Sequence, residues 1–500
     1  MNSPVDHFLT EQGRLQTPVA RFAAAAPDVQ EGFAQMIPLS VPLPGRQYAF
    51  EVDLDACTGC KACVAACHAL NGLDEHETWR DIGVISGACG DEAFVQTVTT
   101  ACHHCADPGC LNGCPVLAYE KDAVTGIVLH LDDQCIGCSY CILKCPYDVP
   151  KFNPRRGIVR KCDLCSGRLA HGEAPACVQA CPTHAIRITT VAAGADSDCA
   201  DFIAGAPDPA HTRPSTRYVT ARVGLTWQDS AAGDAPAPES AHWPLAVMTT
   251  LVGMGTGCTA AAGFGPPALP RAELWLAGAA AGGIGLLASV AHLGRPLRAW
   301  RIFLGLRRSW MSREALLLAL WAAAALAISG TLRVHDVARS WQWAAAAIGI
   351  AGLYSSAMIY IDTPRPAWAW RHTAPRFFGG AWVLAAAVVA AAAPAAARTA
   401  AIHCGAALAA KLAAELALLR PRAGVDNPWL RRSARLLLGP LRRLLAARIA
   451  GALAGAVLLA AAPQGLRIAG LALVALGEGL ERILFFRCAA APRMPGVAPA

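Results

Sequence analysis

Residues 135–146 read CIGCSYCILKCP, a run in which three cysteines follow one another at two-residue intervals and a fourth comes three residues later, directly before proline. Three closely spaced thiolates can wrap three irons of a cubane, and the fourth turns away to ligate the other cluster of a pair. Proline ends the short helix at that point, because it has no N–H and its ring clashes with a continuing helix. The stretch therefore predicts a ligand set for iron–sulfur clusters.

Three further blocks with related spacing lie between residues 57 and 181. The sixteen candidate metal ligands are Cys57, Cys60, Cys63, Cys67, Cys102, Cys105, Cys110, Cys114, Cys135, Cys138, Cys141, Cys145, Cys162, Cys165, Cys177 and Cys181. Four [4Fe–4S] clusters are expected, because each block is complete. Structural zinc is the alternative, since paired CxxC also suits tetrahedral zinc, but zinc has no use for the third and fourth cysteine of each block.

The composition divides the chain into two unlike halves. Hydrophobic residues make up 54% and charged residues 16%, and the long apolar runs begin at about Pro244. Of the 21 cysteines, 18 lie before residue 200. Residues 1–46 show no basic start with a short apolar core, so we expect no export signal there. Metal ligation in a reducing compartment is then favoured over disulfides.

These patterns predict a fold and a domain order. We expect an α+β ferredoxin-like multi-cluster domain followed by an all-α bundle of eight transmembrane helices. The predicted regions are a leader at 1–46, with a helix around 18–33, the cluster domain at 47–191, a linker at 192–242, the anchor at 243–488 and a tail at 489–500. The eight apolar segments are 244–266, 273–293, 314–332, 341–361, 377–397, 399–420, 446–462 and 466–487.

Arginines predict how the anchor is oriented. The loops after segments two, four and six hold 16 arginines, whereas those after segments one, three, five and seven hold 5. The positive-inside rule places the first set in the cytoplasm, and the cluster domain with it. We therefore expect a multi-pass protein of the bacterial inner membrane. The modest net charge of +7 and its concentration in these loops indicate membrane topology, with no nucleic-acid partner.

Several longer stretches resemble a known family. CTGCKACVAACHALNGL (57–73), CHHCADPGCLNGCP (102–115), DDQCIGCSYCILKCPYDVPKF (132–152) and the block from RKCDLC (160–165) onward are similar to the iron–sulfur subunit of dimethyl sulfoxide reductase-type molybdoenzymes. HLGRPLRAW (292–300), SWMSREAL (309–316), YIDTPRPAWAW (360–370) and GEGLERILFF (477–486) resemble the anchor subunit of the same systems. The chain thus looks like a fusion of the two subunits.

The resemblance implies how the ligands are shared. The first three cysteines of block one would share a cluster with Cys181, and those of block four with Cys67. Blocks two and three would pair in the same way through Cys145 and Cys114. Some relatives have tryptophan where this chain has Cys138 and carry a [3Fe–4S] cluster, so four cubanes are expected here. It also implies a separate catalytic subunit with a molybdopterin cofactor, and the residues of this chain show no catalytic constellation of their own.

Polar residues in an apolar bundle are candidates for a quinone site, because burying them in lipid is costly. The predicted quinone-binding residues are His292, Arg295, Arg313, Glu478 and Glu481. A quinol head group, of menaquinone or ubiquinone, needs hydrogen-bond partners and a proton acceptor, and histidine can supply both. The alternatives are a helix-end histidine facing lipid head groups and a structural ion pair. Haem is disfavoured, because His292 and His403 lie at opposite ends of their segments.

The sequence leaves three hypotheses for the function. The first is the electron-transfer and anchor component of a quinone-coupled molybdoenzyme, with electrons running from quinol to a reductase. The second reverses the direction, from a cytoplasm-facing sulfite-dehydrogenase-type complex into quinone. The third is an ion-translocating redox module that uses Lys411, Glu415 and Glu478 inside the membrane.

Overall fold

A computed structural model describes residues 7, 10–11, 36–38, 40–75, 77–89, 92–193, 202–203, 205–222, 225–229, 237–419 and 427–497. The helix expected around 18–33 lies outside these residues, as does part of the expected linker. Within them, an α+β domain is followed by a bundle of long helices, which confirms the predicted fold class.

Four small β-sheets form the frame of the cluster domain in the described residues. Its strands are β1 (Arg46–Asp53), β2 (Asp81–Cys89), β3 (Glu92–Thr100), β4 (Tyr119–Lys121), β5 (Val128–His130), β6 (Lys151–Asn153), β7 (Ile158–Arg160), β8 (Ile186–Ala192), β9 (Arg217–Val219) and β10 (Leu225–Asp229). Strand β1 pairs antiparallel with β8 and parallel with β9, which joins the two ends of the domain. Strand β2 pairs antiparallel with β3 and β10, while β4–β5 and β6–β7 are antiparallel pairs.

Short helices adjoin the cysteine loops. They are α1 (Ala62–Leu70), α2 (Gly109–Gly113), α3 (Tyr140–Lys144), α4 (Ser166–Ala170) and α5 (Ala176–Gln179). In the loops before α1 and α3, Gly59 and Gly137 have φ values of 70° and 69°. Glycine adopts this left-handed conformation without strain. The loop can therefore curl tightly, and Gly137 donates its N–H to Cys135 Sγ over 3.4 Å.

Part of the segment that composition predicts as a linker, 192–242, belongs to the cluster domain instead. Strands β9 and β10 lie within it and pair with β1 and β2. Ile203 is buried in the domain's apolar core. Two strands of three and five residues leave too short a pattern to be recognised in an Ala- and Pro-rich sequence.

The C-terminal segment expected as a tail packs back onto the cluster domain. Met494 is buried in the same apolar core as Ile203. Gly496 accepts a hydrogen bond at its carbonyl oxygen from the N–H of Val84, over 3.2 Å. The end of the chain therefore ties the anchor to the domain that precedes it.

In the part of the chain that the structure describes, eight long helical segments form the bundle, as the sequence predicts. They are α6 (Trp243–Phe264), α7 (Arg271–Val290), α8 (Trp310–Thr331), α9 (Arg339–Ile361), α10 (Trp370–Ala374) continued by α11 (Gly380–Ala392), α12 (Ala397–Leu416), α14 (Arg442–Ala461) and α15 (Gln464–Arg487), with α13 (Pro428–Leu438) between α12 and α14. Seven of these segments, in the described residues, are long and apolar enough to cross a membrane. The eighth, α15, is as long but carries Glu478, Glu481 and Arg482 in its second half.

Small residues let the bundle helices approach closely. A Cβ atom at Gly278 of α7 would lie 2.9 Å from the carbonyl oxygen of Gly255 in α6. The Trp321 ring fills the space left by Gly282 and Gly349, and its Nε1 donates to Thr259 Oγ1 over 3.0 Å. Close packing and buried hydrogen bonds stabilise helices in an apolar environment, where burial of apolar area contributes little.

Candidate iron–sulfur and quinone sites

The sixteen cysteines gather into four quartets. Quartet A (Cys57, Cys60, Cys63 and Cys181) lines one cavity, and quartet C (Cys102, Cys105, Cys110 and Cys145) lines another. In each, three thiols come from one block and the fourth comes from a distant block. This is the nested arrangement that the family resemblance implies.

The remaining thiols form quartet B (Cys67, Cys162, Cys165 and Cys177) and quartet D (Cys114, Cys135, Cys138 and Cys141). Burial raises the pKa of the Cys67 thiol to about 12, and the charges of Cys177 and Cys165 contribute to the rise. Burial likewise raises the pKa of Cys141 well above its usual value, and Cys138, Cys114 and Cys135 raise it further. Thiols that oppose one another's ionisation in this way lie close together, so quartets B and D are also brought together.

The quartets have the chemistry of iron–sulfur sites. Buried neighbouring thiols resist deprotonation, and a bound metal centre is what makes thiolates favourable in such a place. Main-chain N–H groups also point at the sulfurs: Ala118 donates to Cys114 Sγ over 3.3 Å and Leu164 to Cys162 Sγ over 3.4 Å. Hydrogen bonds of this kind to cluster sulfurs help to set reduction potentials. Within the described ranges, no three His, Cys, Asp or Glu side chains converge to hold a single metal ion.

Two buried cations lie between quartets. Arg80 is 2% exposed, and the thiols that act on its charge are Cys177, Cys63, Cys162 and Cys67, from quartets A and B. Lys161 is 3% exposed and is acted on by Cys102 and Cys110 of quartet C and Cys162 of quartet B. Lys161 adjoins block four in the sequence, whereas Arg80 lies far from every block and has no local signal that could have found it.

These neighbour relations give the quartets an order. Thiols of quartets A and B both lie near Arg80, and thiols of quartets B and C both lie near Lys161. Quartets C and D exchange ligands between blocks two and three. Cys60 of quartet A is exposed, whereas Cys114, Cys135 and Cys141 of quartet D belong to the apolar cluster against which Leu293 packs, just after helix α7 of the bundle. The order is therefore A, B, C, D, from an exposed end toward the bundle.

The loop after α7 docks on the cysteine block that holds most of quartet D. A Cβ atom at Gly294 would collide with the carbonyl oxygen of Gly157 and lie 2.6 Å from its carbonyl carbon. The N–H of Arg295 donates to the carbonyl oxygen of Ile136 over 3.0 Å. Arg295 Nη1 donates to the carbonyl oxygen of Asp132 over 2.9 Å. The Arg295 side chain is thus used in docking the two domains.

Helix α8 and the end of α9 make the same junction. Ser309 Oγ donates to the carbonyl oxygen of Gly113 over 2.7 Å. Lys144 Nζ lies 2.8 Å from Asp362 Oδ2, an ion pair between the third block and the bundle. Arg313, which the sequence predicts as a quinone-binding residue, donates to the carbonyl oxygens of Leu306 and Arg307. It therefore stabilises its own loop.

His292 lies beside this junction with one ring nitrogen available. Its Nδ1 bonds to the carbonyl oxygen of Ser289, which makes Nδ1 the protonated nitrogen. Nε2 is buried and has no hydrogen-bond partner among the described residues. Burial lowers the pKa of His292, despite the bond to Ser289, so the imidazole is neutral at neutral pH. Nε2 can then accept a hydrogen bond from a hydroxyl group.

Other polar groups lie near the junction, and of these Tyr140 and His242 were not predicted from the sequence. Tyr140, between two cysteines of block three, is 1% exposed, and its hydroxyl has no partner among the described residues. Glu314, buried in α8, shares a hydrogen bond with Ser356, and its charge acts on Tyr140. His242 precedes α6, and burial, together with the charge of Arg365, lowers its pKa to about 4. Buried polar atoms without partners are candidate ligand contacts.

Glu478 and Glu481 belong to a separate buried ion network. Its members, all at most 8% exposed, are Arg376, Lys411, Glu415, Arg448, Glu478, Glu481 and Arg482. Lys411 contacts Glu478 and lies 3.3 Å from Glu481, and Arg448 lies 3.1 Å from Glu415 and 3.2 Å from Glu478. In the described part of the chain, no bond joins this network to His292.

Known proteins match both halves of the chain. A family model described as a 4Fe-4S dicluster domain matches residues 93–191, and one described as the DMSO reductase anchor subunit (DmsC) matches residues 279–423. The B subunit of the anaerobic dimethyl sulfoxide reductase of Haemophilus influenzae is 38% identical over 150 residues, which are 28% of this chain and 73% of that protein. YnfG of Escherichia coli, described as a probable anaerobic dimethyl sulfoxide reductase subunit, is 38% identical over 148 residues, 28% of this chain and 72% of its own length. The formate dehydrogenase-O iron-sulfur subunit of Escherichia coli is 38% identical over 156 residues, 28% of this chain and 52% of that protein.

Proposed function

This chain belongs to the family of the iron–sulfur and anchor subunits of dimethyl sulfoxide reductase-type enzymes, and we propose that its four quartets each hold a [4Fe–4S] cluster and link a membrane quinone to a catalytic partner. The resemblance found in the cysteine blocks and the anchor motifs is thereby confirmed. Its function is electron transfer and membrane anchoring in a molybdoenzyme complex. The family implies a molybdopterin-containing catalytic subunit as that partner.

The quartets support four clusters rather than fewer. Each has four thiols from two blocks, and each lies beside the next in the order A, B, C, D. A bound cluster supplies one-electron steps at a potential set by burial, charge and hydrogen bonds to sulfur. The residues of this chain hold the sulfurs, exclude water and place the positive charges of Arg80 and Lys161 between neighbouring sites.

The position of quartet D carries the proposal of a quinone site. The loop that contains His292 is bonded to the block that supplies three thiols of quartet D. A neutral His292 with a free Nε2 can accept the proton of a quinol hydroxyl, and Tyr140 and Glu314 supply further polar contacts. Arg295 and Arg313 act here by fixing the two loops around the site. Contact of Glu478 or Glu481 with quinone stays a prediction.

The exposed quartet A is the proposed contact for the catalytic partner. Cys60 lies at the surface of the domain. Its quartet is the last of the four when they are counted from the bundle. We place the cluster domain on the cytoplasmic side of the inner membrane, as the arginine distribution predicts. Electrons would run from quinol toward a reductase of the dimethyl sulfoxide reductase type, or in the opposite direction from a cytoplasmic sulfite-type dehydrogenase.

The ion network favours an ion-translocating module as a second candidate. Every carboxylate in it lies within 3.6 Å of a lysine or arginine, however, and the cations outnumber the carboxylates. Such full pairing favours a fixed structural role over a group that repeatedly gains and loses protons. Proton uptake by vesicles during quinol oxidation separates the two.

The proposal is tested by purifying the chain from its native membrane. We expect a molybdopterin-containing subunit to copurify and quinol to reduce the clusters anaerobically. Copurification with a subunit of another class, or clusters that quinol does not reduce and that quinone does not reoxidise after reduction by dithionite, would overturn it. The substrate of the copurified subunit then determines the direction of electron flow.

A further inference from the structure

The helix bundle contains a cavity of its own among the described residues. It has a volume of about 570 Å³ and is open between helices α6, α9, α11 and α12. Its lining includes Ala260, Phe264, Gly265, Trp382, Thr399 and His403. Helix α6 ends at Phe264, whereas α7 ends at Val290 beside the cluster domain. Because the two helices run in opposite directions, this cleft opens at the face of the bundle opposite to His292.

The walls of this cleft suit one apolar chain. Sixteen of the twenty lining residues are Ala, Gly, Leu, Ile, Val, Phe or Trp. The lining runs along α11 and the turn before it from Phe378 to Val389, which is about 16 Å at the rise of an α-helix. This is roughly half of the ~30 Å hydrocarbon core of a bilayer, the depth of a single leaflet. An acyl chain of the opposite leaflet matches that depth.

The mouth of the cleft carries positive charge. Arg339 donates to the carbonyl oxygens of Ala262 and Gly265 over 3.2 and 2.9 Å, and Gly265 lines the cleft. Arg398 is exposed and directly precedes the lining residue Thr399. Trp343, half exposed, donates to the carbonyl oxygen of Gly263, as tryptophans do at the level of lipid head groups. This face is otherwise poor in arginine, so the charge at the mouth is local.

We propose that the cleft binds one anionic phospholipid, with an acyl chain between α6, α9, α11 and α12 and the phosphate at Arg339 and Arg398. A quinone tail is a poorer fit, because its head group would lie at the wrong face for His292 and the clusters. The lipid would fill the space between helices α6 and α12 and hold the far end of the bundle together.

The test uses the full chain in phosphatidylcholine vesicles that contain phosphatidylglycerol with a photoreactive acyl chain. Illumination should label peptides that contain Ala260 or Thr399. Ala260→Phe and Thr399→Trp fill the cleft from two helices and should each lower that labelling about ten-fold. Ala327→Phe adds the same bulk on an exposed face of α8 and should leave it unchanged. The cluster absorption spectrum checks that each variant is folded.

The head-group preference is tested in the same way. Photoreactive phosphatidylcholine should label the cleft less than phosphatidylglycerol does, and Arg339→Gln or Arg398→Gln should each lower the preference about five-fold. The proposal would be overturned if Ala260→Phe and Thr399→Trp were labelled as strongly as the unaltered chain. Equal labelling of the cleft by the two lipids would also overturn it. Preferential labelling by a photoreactive ubiquinone, not displaced by phosphatidylglycerol, would also overturn it.

Discussion

The N–H of Arg295 donates to the carbonyl oxygen of Ile136 over 3.0 Å, which bonds the loop after the second long helix of the bundle directly to the third cysteine block. The Arg295 side chain adds a bond to Asp132, and the main chains of Gly294 and Gly157 lie against each other. Docking at this loop therefore combines side-chain bonds with main-chain contacts that leave no room for a side chain at Gly294 or Gly157. It sets the separation between His292 and quartet D.

Gly294→Ala tests that docking. Its Cβ would overlap the main chain of Gly157, so the two domains must separate locally. Misplacement on the ångström scale can cost roughly 10² in rate, and we expect quinol-driven cluster reduction to slow by about ten-fold or more. Stopped-flow absorbance measures it. Gly283→Ala is the control, because nothing lies within 4 Å of its Cβ position; equal rates in the two variants would contradict the docking role.

His292→Ala removes the proposed proton acceptor for quinol. We expect quinol-linked turnover to be lost while dithionite still reduces every cluster, because the cysteine quartets are untouched. His335→Ala is the matched control, since His335 is exposed in the loop after α8, at the opposite end of the bundle. Turnover that persists unchanged in His292→Ala would show that the quinone binds elsewhere.

Arg80→Met removes a buried positive charge from between quartets A and B. The reduced clusters carry more negative charge than the oxidised ones, so losing the cation should lower the potentials of these two sites by tens of millivolts. Arg80→Lys keeps the charge, so the potentials of its clusters should stay close to those of the unaltered chain. Redox titration followed by electron paramagnetic resonance measures both, and potentials that stay constant in Arg80→Met would exclude the effect.

Lys411→Met tests whether the ion network is structural. It leaves Glu478 and Glu481 without one buried partner, and removing one member of a buried pair costs about 3–5 kcal/mol. The melting temperature should fall markedly. Lys411→Met combined with Glu478→Gln should be less destabilising than the sum of the single changes, because one cation and one carboxylate are then lost together and the net charge of the network is unchanged. Normal stability with selective loss of proton uptake would favour the ion-translocating module.

The sequence predicted the site best where spacing encodes chemistry. Cysteine intervals singled out the thiols that the fold brings together, whose role as cluster ligands stays a prediction, and apolar runs identified the long helices to within a few residues at most ends. Strands β9 and β10 were missed because short edge strands leave no period. Arg80 and His242 were missed because their neighbours are brought to them only by the fold. Hydropathy cannot show that Glu478 is paired within a buried ion network, whereas Nε2 of His292 has no partner among the described residues.

The order of the quartets is tested most directly by removing one thiol at each end. Cys141→Ala disrupts quartet D beside the bundle, and Cys60→Ala disrupts the exposed quartet A. In both variants dithionite should reduce the clusters of the three intact quartets. Their electron paramagnetic resonance signals show that the domain is folded. Quinol should reduce the remaining clusters of Cys60→Ala at the rate of the unaltered chain and those of Cys141→Ala hardly at all. Rapid reduction by quinol in Cys141→Ala would contradict a path that begins at quartet D.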